Sequence, residues 1–213
     1  MIEVIHAAPR GTQGSRRRGV LVVAPRGSCT GKQPSGKKLK YTREPIAFNN
    51  DDLEGTIQPH DYALVVTARI NGFIVKRVLI DQGSGVKVMY PNLYKGFGLM
   101  KDDLSKYDTP LMGFDGRMVI LEGQILLPMN MEGKETMVTF IVVTLFSPYT
   151  AILGRPWIHA MGAVPSNLNV KFKFRIEQGI TVVRGNQQVA RQCLVAAIDQ
   201  GAKPKESTEE TLL

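Results

Sequence analysis

The sequence has no long apolar run, few cysteines and no cluster of metal-binding side chains, and each shortage removes a class of protein. No stretch approaches 18 consecutive apolar residues, so no segment reads as a membrane-spanning helix. The opening residues, MIEVIHAAPRG, lack the apolar core of a secretory leader. The expectation is an intracellular, cytoplasmic protein without membrane contact. Two cysteines, Cys29 and Cys193, lie far apart in unlike contexts, and a reduced pair is expected rather than a disulfide. The histidines His6, His60 and His159 are isolated, with no partner at ligand spacing, so neither a metal nor a cofactor is expected. No serine occupies a nucleophile elbow, and no glycines form a phosphate-binding loop.

What is present is an ordinary apolar fraction, 43% of 213 residues, enough for a real core. The net charge of +8 is uneven. Residues 1–43 carry ten Lys or Arg against Glu3 alone, whereas the remainder carries 17 basic and 18 acidic residues. The basicity belongs to an N-terminal arm rich in Gly, Ser and Pro, which reads as disordered. Such an arm is either a solvated linker or a weak RNA contact through counterion release.

From Tyr62 onward, β-branched runs alternate with turn signals. YALVVTARI and FIVKRVLI flank Asn71-Gly72, a strong two-residue hairpin signal. VKVMY, RMVILEG, QILLPMNM, ETMVTFIVV, YTAIL, LNVKFKFRI and ITVVRG read as further strands, with Asp115-Gly116 and Glu132-Gly133 as turns. PNLYKGFG and RPWIHAMGA read as short helices opened by proline. The pattern predicts a mostly β barrel or sandwich with one or two short helices. The domain boundaries it suggests are a disordered arm over 1–43, one domain over 44–198 with a C-terminal β extension, and a disordered tail over 199–213.

One stretch, RVLIDQGSGVKVMY, places a carboxylate, Asp81, at the exit of a strand that otherwise reads as buried. Burying a carboxylate is costly unless it is paired or does work. Gly83 lets the backbone turn back so that amide groups approach the acid, and Ser84 adds a hydroxyl. An ordinary β-turn uses the same residues. Two further features accompany it: a glycine-tipped hairpin at TPLMGFDGRMVILEG, and two apolar residues running into a glycine and a helix at AILGRPWIHAMG.

In that order these features resemble a retroviral-type aspartic protease, a retropepsin-like domain. The phrases RVLIDQGSGVKVMY, TPLMGFDG, AILGRPWIHAMGAVPSNLNVKFKF and RGNQQVARQCLVAA are similar to the protease region of plant Ty3/gypsy retrotransposon gag-pol polyproteins. The resemblance covers about Glu44 to Ile198. It implies an acid-protease barrel with half a site per chain, acting as a homodimer on polypeptide substrates. It implies that Asp81 and its symmetry mate share a proton and activate water, with greatest activity at mildly acidic pH. It assigns Gln82, Gly83 and Ser84 to the acid loop and Gly113, Phe114, Asp115 and Gly116 to a closing flap. Ile152, Leu153 and Gly154 would support the acid turn from beneath. The chain departs from the family pattern at Gln82, where Thr or Ser is usual, at Gly85, and at Lys87. A catalytically silent barrel that dimerises or binds peptide is therefore the alternative implied by the same resemblance.

Overall fold

This computed structural model describes residues 6–7, 44–113, 116 and 118–201. The remainder of the expected arm, Phe114, Asp115 and Arg117 of the hairpin tip, and residues 202–213 of the expected tail lie outside the described residues.

Six strands close into a barrel. They are β2 (Val65–Ile70), β3 (Phe73–Ile80), β4 (Lys87–Met89), β7 (Leu121–Met131), β8 (Lys134–Val143) and β9 (Ala151–Leu153), in the spatial order β2-β3-β9-β4-β8-β7. The mostly β closed barrel expected from the sequence is thus the observed architecture. The two tight hairpins within the barrel turn on two consecutive left-handed residues, Asn71 (φ 49°) with Gly72 (φ 81°) and Glu132 (φ 47°) with Gly133 (φ 85°). That is the turn geometry whose twist matches the flanking strands. RMVILEG and QILLPMNM, read as separate strands, instead give β6 (Met118–Val119) and the single long strand β7. Glu122-Gly123 is a break in the ladder within β7, not a turn.

β5 (Leu111–Met112) pairs antiparallel with β6 and with β1 (His6–Ala7), forming a small separate sheet. A third sheet joins β10 (Val164–Ser166), β11 (Lys171–Ile176) and β12 (Gly179–Arg184). The two proline-opened helices are α1 (Pro91–Gly96) and α2 (Arg155–Met161). A third helix, α3 (Gln187–Gly201), is an element the sequence reading does not contain, and the expected tail boundary at 198/199 falls inside it. Among the described residues no helix is long and apolar enough to cross a membrane.

Burial alternates along the barrel strands and divides the apolar residues into two clusters. Leu64, Val66, Val78, Ile80, Met89, Val142, Ala151 and Leu153 join Trp157 and Met161 of α2 and Phe172 and Phe174 of β11 in the main core. Their neighbours Val65, Leu79, Val88, Ile141, Val143 and Ile152 face the other way and form a second cluster.

The segment before β2 is strapped onto the third sheet by lysines. Lys171 is buried, and its ammonium donates to the carbonyls of Asp52 and Glu54. The Lys173 ammonium lies 2.8 Å from each Asp52 carboxylate oxygen and 4.7 Å from the Phe48 ring centroid. The hydrogen bond from Lys173 and the one from the Asn49 backbone hold the Asp52 carboxyl below its ordinary range.

A folded-state carboxyl held low contributes stability above the ordinary carboxylate range and loses it as pH falls through the lowered value. Asp52→Asn should therefore cost about 2 kcal/mol at neutral pH. The gap from the parent should narrow as pH falls through that lowered value. Urea unfolding at neutral and at strongly acidic pH checks this, and an equal gap at both would contradict it.

Candidate active site

The acid turn is built by a crossing of strands. β3 and β4, the strands on either side of the turn, do not pair with each other. β9 lies between them, parallel to β3 and antiparallel to β4. The turn from Asp81 to Val86 must therefore pass over the end of β9, where Gly154 stands. A Cβ on Gly154 would lie 2.3 Å from the Val86 carbonyl oxygen and 2.5 Å from that of Ser84. No side chain fits there, so this glycine is required by close approach rather than by its φ. The Arg155 N–H donates to the Ser84 carbonyl at 2.9 Å, which ties the start of α2 to the same turn.

Asp81 is half-buried. Its N–H donates to the Leu153 carbonyl at 3.1 Å, and its carbonyl accepts from the Ser84 N–H at 3.3 Å. The carboxylate Oδ1 accepts from the Gly83 N–H at 2.8 Å. Oδ2 is shielded from solvent and, among the described residues, accepts no hydrogen bond. Buried polar atoms without partners are rare in folded proteins, and each calls for a cause. Ser84 is fully buried, and its hydroxyl donates to the Val86 carbonyl at 3.1 Å and accepts from the Val86 N–H at 3.3 Å. These bonds stiffen the turn from within, while Gln82 remains exposed and Gly85 half-buried. Lys87, at the first position of β4, is half-buried, and burial pushes its ammonium pKa down.

The structure therefore gathers Asp81, Gln82, Gly83, Ser84, Leu153 and Gly154 at one turn, with Ile152 alongside. Leu153 points into the main core and Ile152 into the second cluster. At the hairpin tip, the Gly116 N–H donates to the Gly113 carbonyl at 3.0 Å. Phe114 and Asp115 lie outside the described residues. Leu111 of β5 and Val119 of β6 belong to or pack on the second cluster, the one that contains Leu79 and Ile152 beside the acid turn.

Tyr149 opens the expected strand YTAIL and is not among the candidate site residues of the sequence. Its side chain is buried in the second cluster, and burial, followed by nearby Cys193, Tyr90 and Asp81, pushes its hydroxyl up to about 12. It is a neutral hydroxyl set between the acid turn and α3. Among the described residues no group of three or more His, Cys, Asp or Glu is placed to hold a metal.

No family model matches the sequence, and no curated relative matches it either. Solved structures do match by shape. The retroviral protease-like domain of Ddi1 from Leishmania major aligns with 60% of this chain and 95% of its own, at 16% identity and a TM-score of 0.45. The EIAV protease in complex with the inhibitor HBY-793 aligns over 52% of this chain and 98% of its own, at 20% identity and a TM-score of 0.42. A retropepsin-like aspartic protease from Rickettsia conorii aligns over 56% and 78%, at 16% identity and a TM-score of 0.35.

Because a methyl group at Gly154 would meet backbone oxygens, Gly154→Ala should lower stability by about 3 kcal/mol. Gly96→Ala, where a Cβ meets nothing within 4 Å, serves as the control and should change it by less than about 0.5 kcal/mol. Chemical denaturation of both variants decides the point, and similar values would refute the close-packing account.

Proposed function

We propose that this chain is half of an aspartic peptidase, with Asp81 as its catalytic carboxylate. The observation that carries the reading is the Asp81 carboxylate itself. One oxygen is fixed by the Gly83 amide, the other has no hydrogen-bond partner, and the turn is held rigid by Ser84 and Gly154. A second copy related by a two-fold axis would bring a matching carboxylate to the first. Two such groups in contact do not both ionise, so they hold one proton between them. The ionised member takes a proton from water, and the protonated member donates to the oxygen of the scissile carbonyl. The water oxygen adds to the carbonyl carbon as it loses that proton, the carboxyl that took the proton passes it to the peptide nitrogen, and collapse of the tetrahedral intermediate breaks the C–N bond and releases the amine without a covalent enzyme intermediate.

Within that class, the sequence resemblance supports a narrower reading, in which the chain cleaves a retrotransposon polyprotein as a homodimer. Gly113, Phe114, Asp115 and Gly116 act as the flap over the bound peptide. Leu79, Val88 and Ile152, apolar and next to the acid turn, suit extended substrates with apolar side chains. Gln82 and half-buried Lys87 favour a second reading, the same barrel without catalysis.

The 213-residue chain should cleave an apolar peptide library with a bell-shaped pH profile peaking on the acid side of neutrality. Pepstatin should inhibit the cleavage. Asp81→Asn should reduce it by roughly a thousandfold or more while leaving the melting temperature near that of the parent. Cleavage that survives in Asp81→Asn would eliminate the proposal, and a folded dimer with no cleavage would select the silent barrel.

A further inference from the structure

The second apolar cluster has an occupant of its own. Around the acid turn the barrel strands are apolar on both faces. The outward set, Val65, Leu79, Val86, Val88, Ile141 and Ile152, forms one apolar cluster with Tyr90, Leu111 and Tyr149, and on the peptidase reading it is the surface a peptide would cross to reach Asp81. Ala190 and Cys193, one helical turn apart on α3, are 2% and 1% exposed and belong to that same cluster. The Cys193 thiol donates to the Pro148 carbonyl at 3.6 Å, next to Tyr149, which has Asp81 as a further neighbour.

We infer that α3 is a tethered occupant of the peptide groove, and that the chain is self-inhibited until this helix leaves. This inference rests on the aspartic-peptidase reading above. The way α3 is attached fits a displaceable segment. Its first turn is firmly held: the Asn186 N–H donates to the Val65 carbonyl at 2.8 Å, and the Asn186 side chain caps the Val189 N–H at 3.0 Å. Gln187 exchanges two hydrogen bonds with the Ile57 backbone, at 2.8 and 3.0 Å. Beyond that turn, only two small side chains are fully buried, Ala190 and Cys193. Val195 and Ile198 stay half exposed. Elements held by few buried apolar contacts open at low free energy.

Weak packing is sufficient for inhibition because the segment is tethered. A covalently attached ligand acts at an effective concentration of order millimolar, which modest complementarity saturates. A peptide then binds only to the fraction of molecules whose helix is open, and its apparent affinity falls by that fraction. The neutral, small-sided contact also explains why α3 covers this face without a salt bridge to Asp81. It shields the apolar groove and leaves the carboxylate unpaired.

The test uses the full-length chain carrying Cys29→Ser, so that Cys193 is the sole thiol. In that background Ala190→Arg, which cannot pack in a fully buried alanine site, should release α3. Gln188→Arg on the exposed side of the same helix is the control. Three quantities are measured: maleimide labelling of Cys193, near-ultraviolet circular dichroism of the barrel, and pepstatin binding together with peptide cleavage. The expected result for Ala190→Arg is labelling at least about tenfold faster with an unchanged barrel spectrum, and a comparable gain in binding and cleavage. Gln188→Arg should change none of them. Faster labelling with binding and cleavage no greater than in an active parent would overturn the inference and spare the peptidase reading. A collapsed barrel spectrum in Ala190→Arg would also overturn it, by making α3 part of the fold. Faster labelling in a chain that neither binds pepstatin nor cleaves would overturn the peptidase reading and the inference with it.

Discussion

The structure depends on one close approach, the passage of the acid turn over Gly154. Three strands converge there, and only a residue without a Cβ lets the Ser84 and Val86 carbonyls come down onto the end of β9. The same contact sets the order of the barrel. With β9 inserted between β3 and β4, the chain cannot connect those two strands by a hairpin and must loop across. The loop is stiff because its polar groups are consumed internally: the Ser84 hydroxyl bonds Val86 twice, and the Asp81 backbone bonds Leu153 and Ser84. A carboxylate carried on such a loop has little freedom to relax toward a partner. An unpaired oxygen can persist there because the Ser84 hydroxyl and the Gly83 amide beside it are already engaged within the loop.

The remote end of the domain shows how such stiffness is supported. Lys171 and Lys173 lie on one strand and reach across to a segment more than a hundred residues earlier. Lys171 is satisfied by backbone carbonyls alone, and burial pushes its ammonium pKa down, with the nearby Arg184 charge adding to the effect. Lys173 instead meets the carboxylate of Asp52 on the exit side of a short turn capped by Asn49. These bonds fix the strap leading into β2, and through β2 the strand pair that delivers Asp81.

Much of this was legible in the sequence where the signal is local. Asn71, Gly72 and Gly133 accept left-handed backbone readily, and Asn71-Gly72 and Glu132-Gly133 are tight turns between the strands expected on either side. Pro91 and Pro156 each open the helix expected of them. The division of β7 into RMVILEG and QILLPMNM reflects a glycine at their junction, which inside a strand looks like a break. Here Gly123 (φ 150°) lets β7 run past Ser105, whose carbonyl oxygen would lie 2.8 Å from an added Cβ. The signal for α3 was available: Asn186 as a cap, then apolar residues at 189, 190, 193, 194 and 197, which is helical spacing. The strap was not legible, because alternating lysines on a strand say nothing about a carboxylate 119 to 121 residues away. Tyr149 was missed for a related reason. Its environment is assembled from β4, α3 and the acid turn, and no local pattern reports it.

The two-faced character of the strands around Asp81 ties these features together. Inward residues such as Ile80, Met89 and Leu153 are needed to hold the barrel, so they leave no freedom for chemistry. The outward set at Leu79, Val88 and Ile152 is not required by the barrel, yet it is equally apolar and buried. A sheet with one solvated face alternates apolar and polar residues. Continuous apolar sequence at RVLI and AIL therefore signals that something covers the outer face, and the cover is what differs from the rest of the molecule. Under the barrel it is aromatic and large, with Trp157, Phe172 and Phe174 interlocking. Over the outer face the cover is mixed: Tyr90, Leu111 and Tyr149 belong to it, and α3 adds Ala190 and Cys193, small side chains on a helix secured at one end. Interlocked aromatic packing resists exchange, whereas two small side chains on a tethered helix give way at modest cost, so α3 is the part of that cover able to leave.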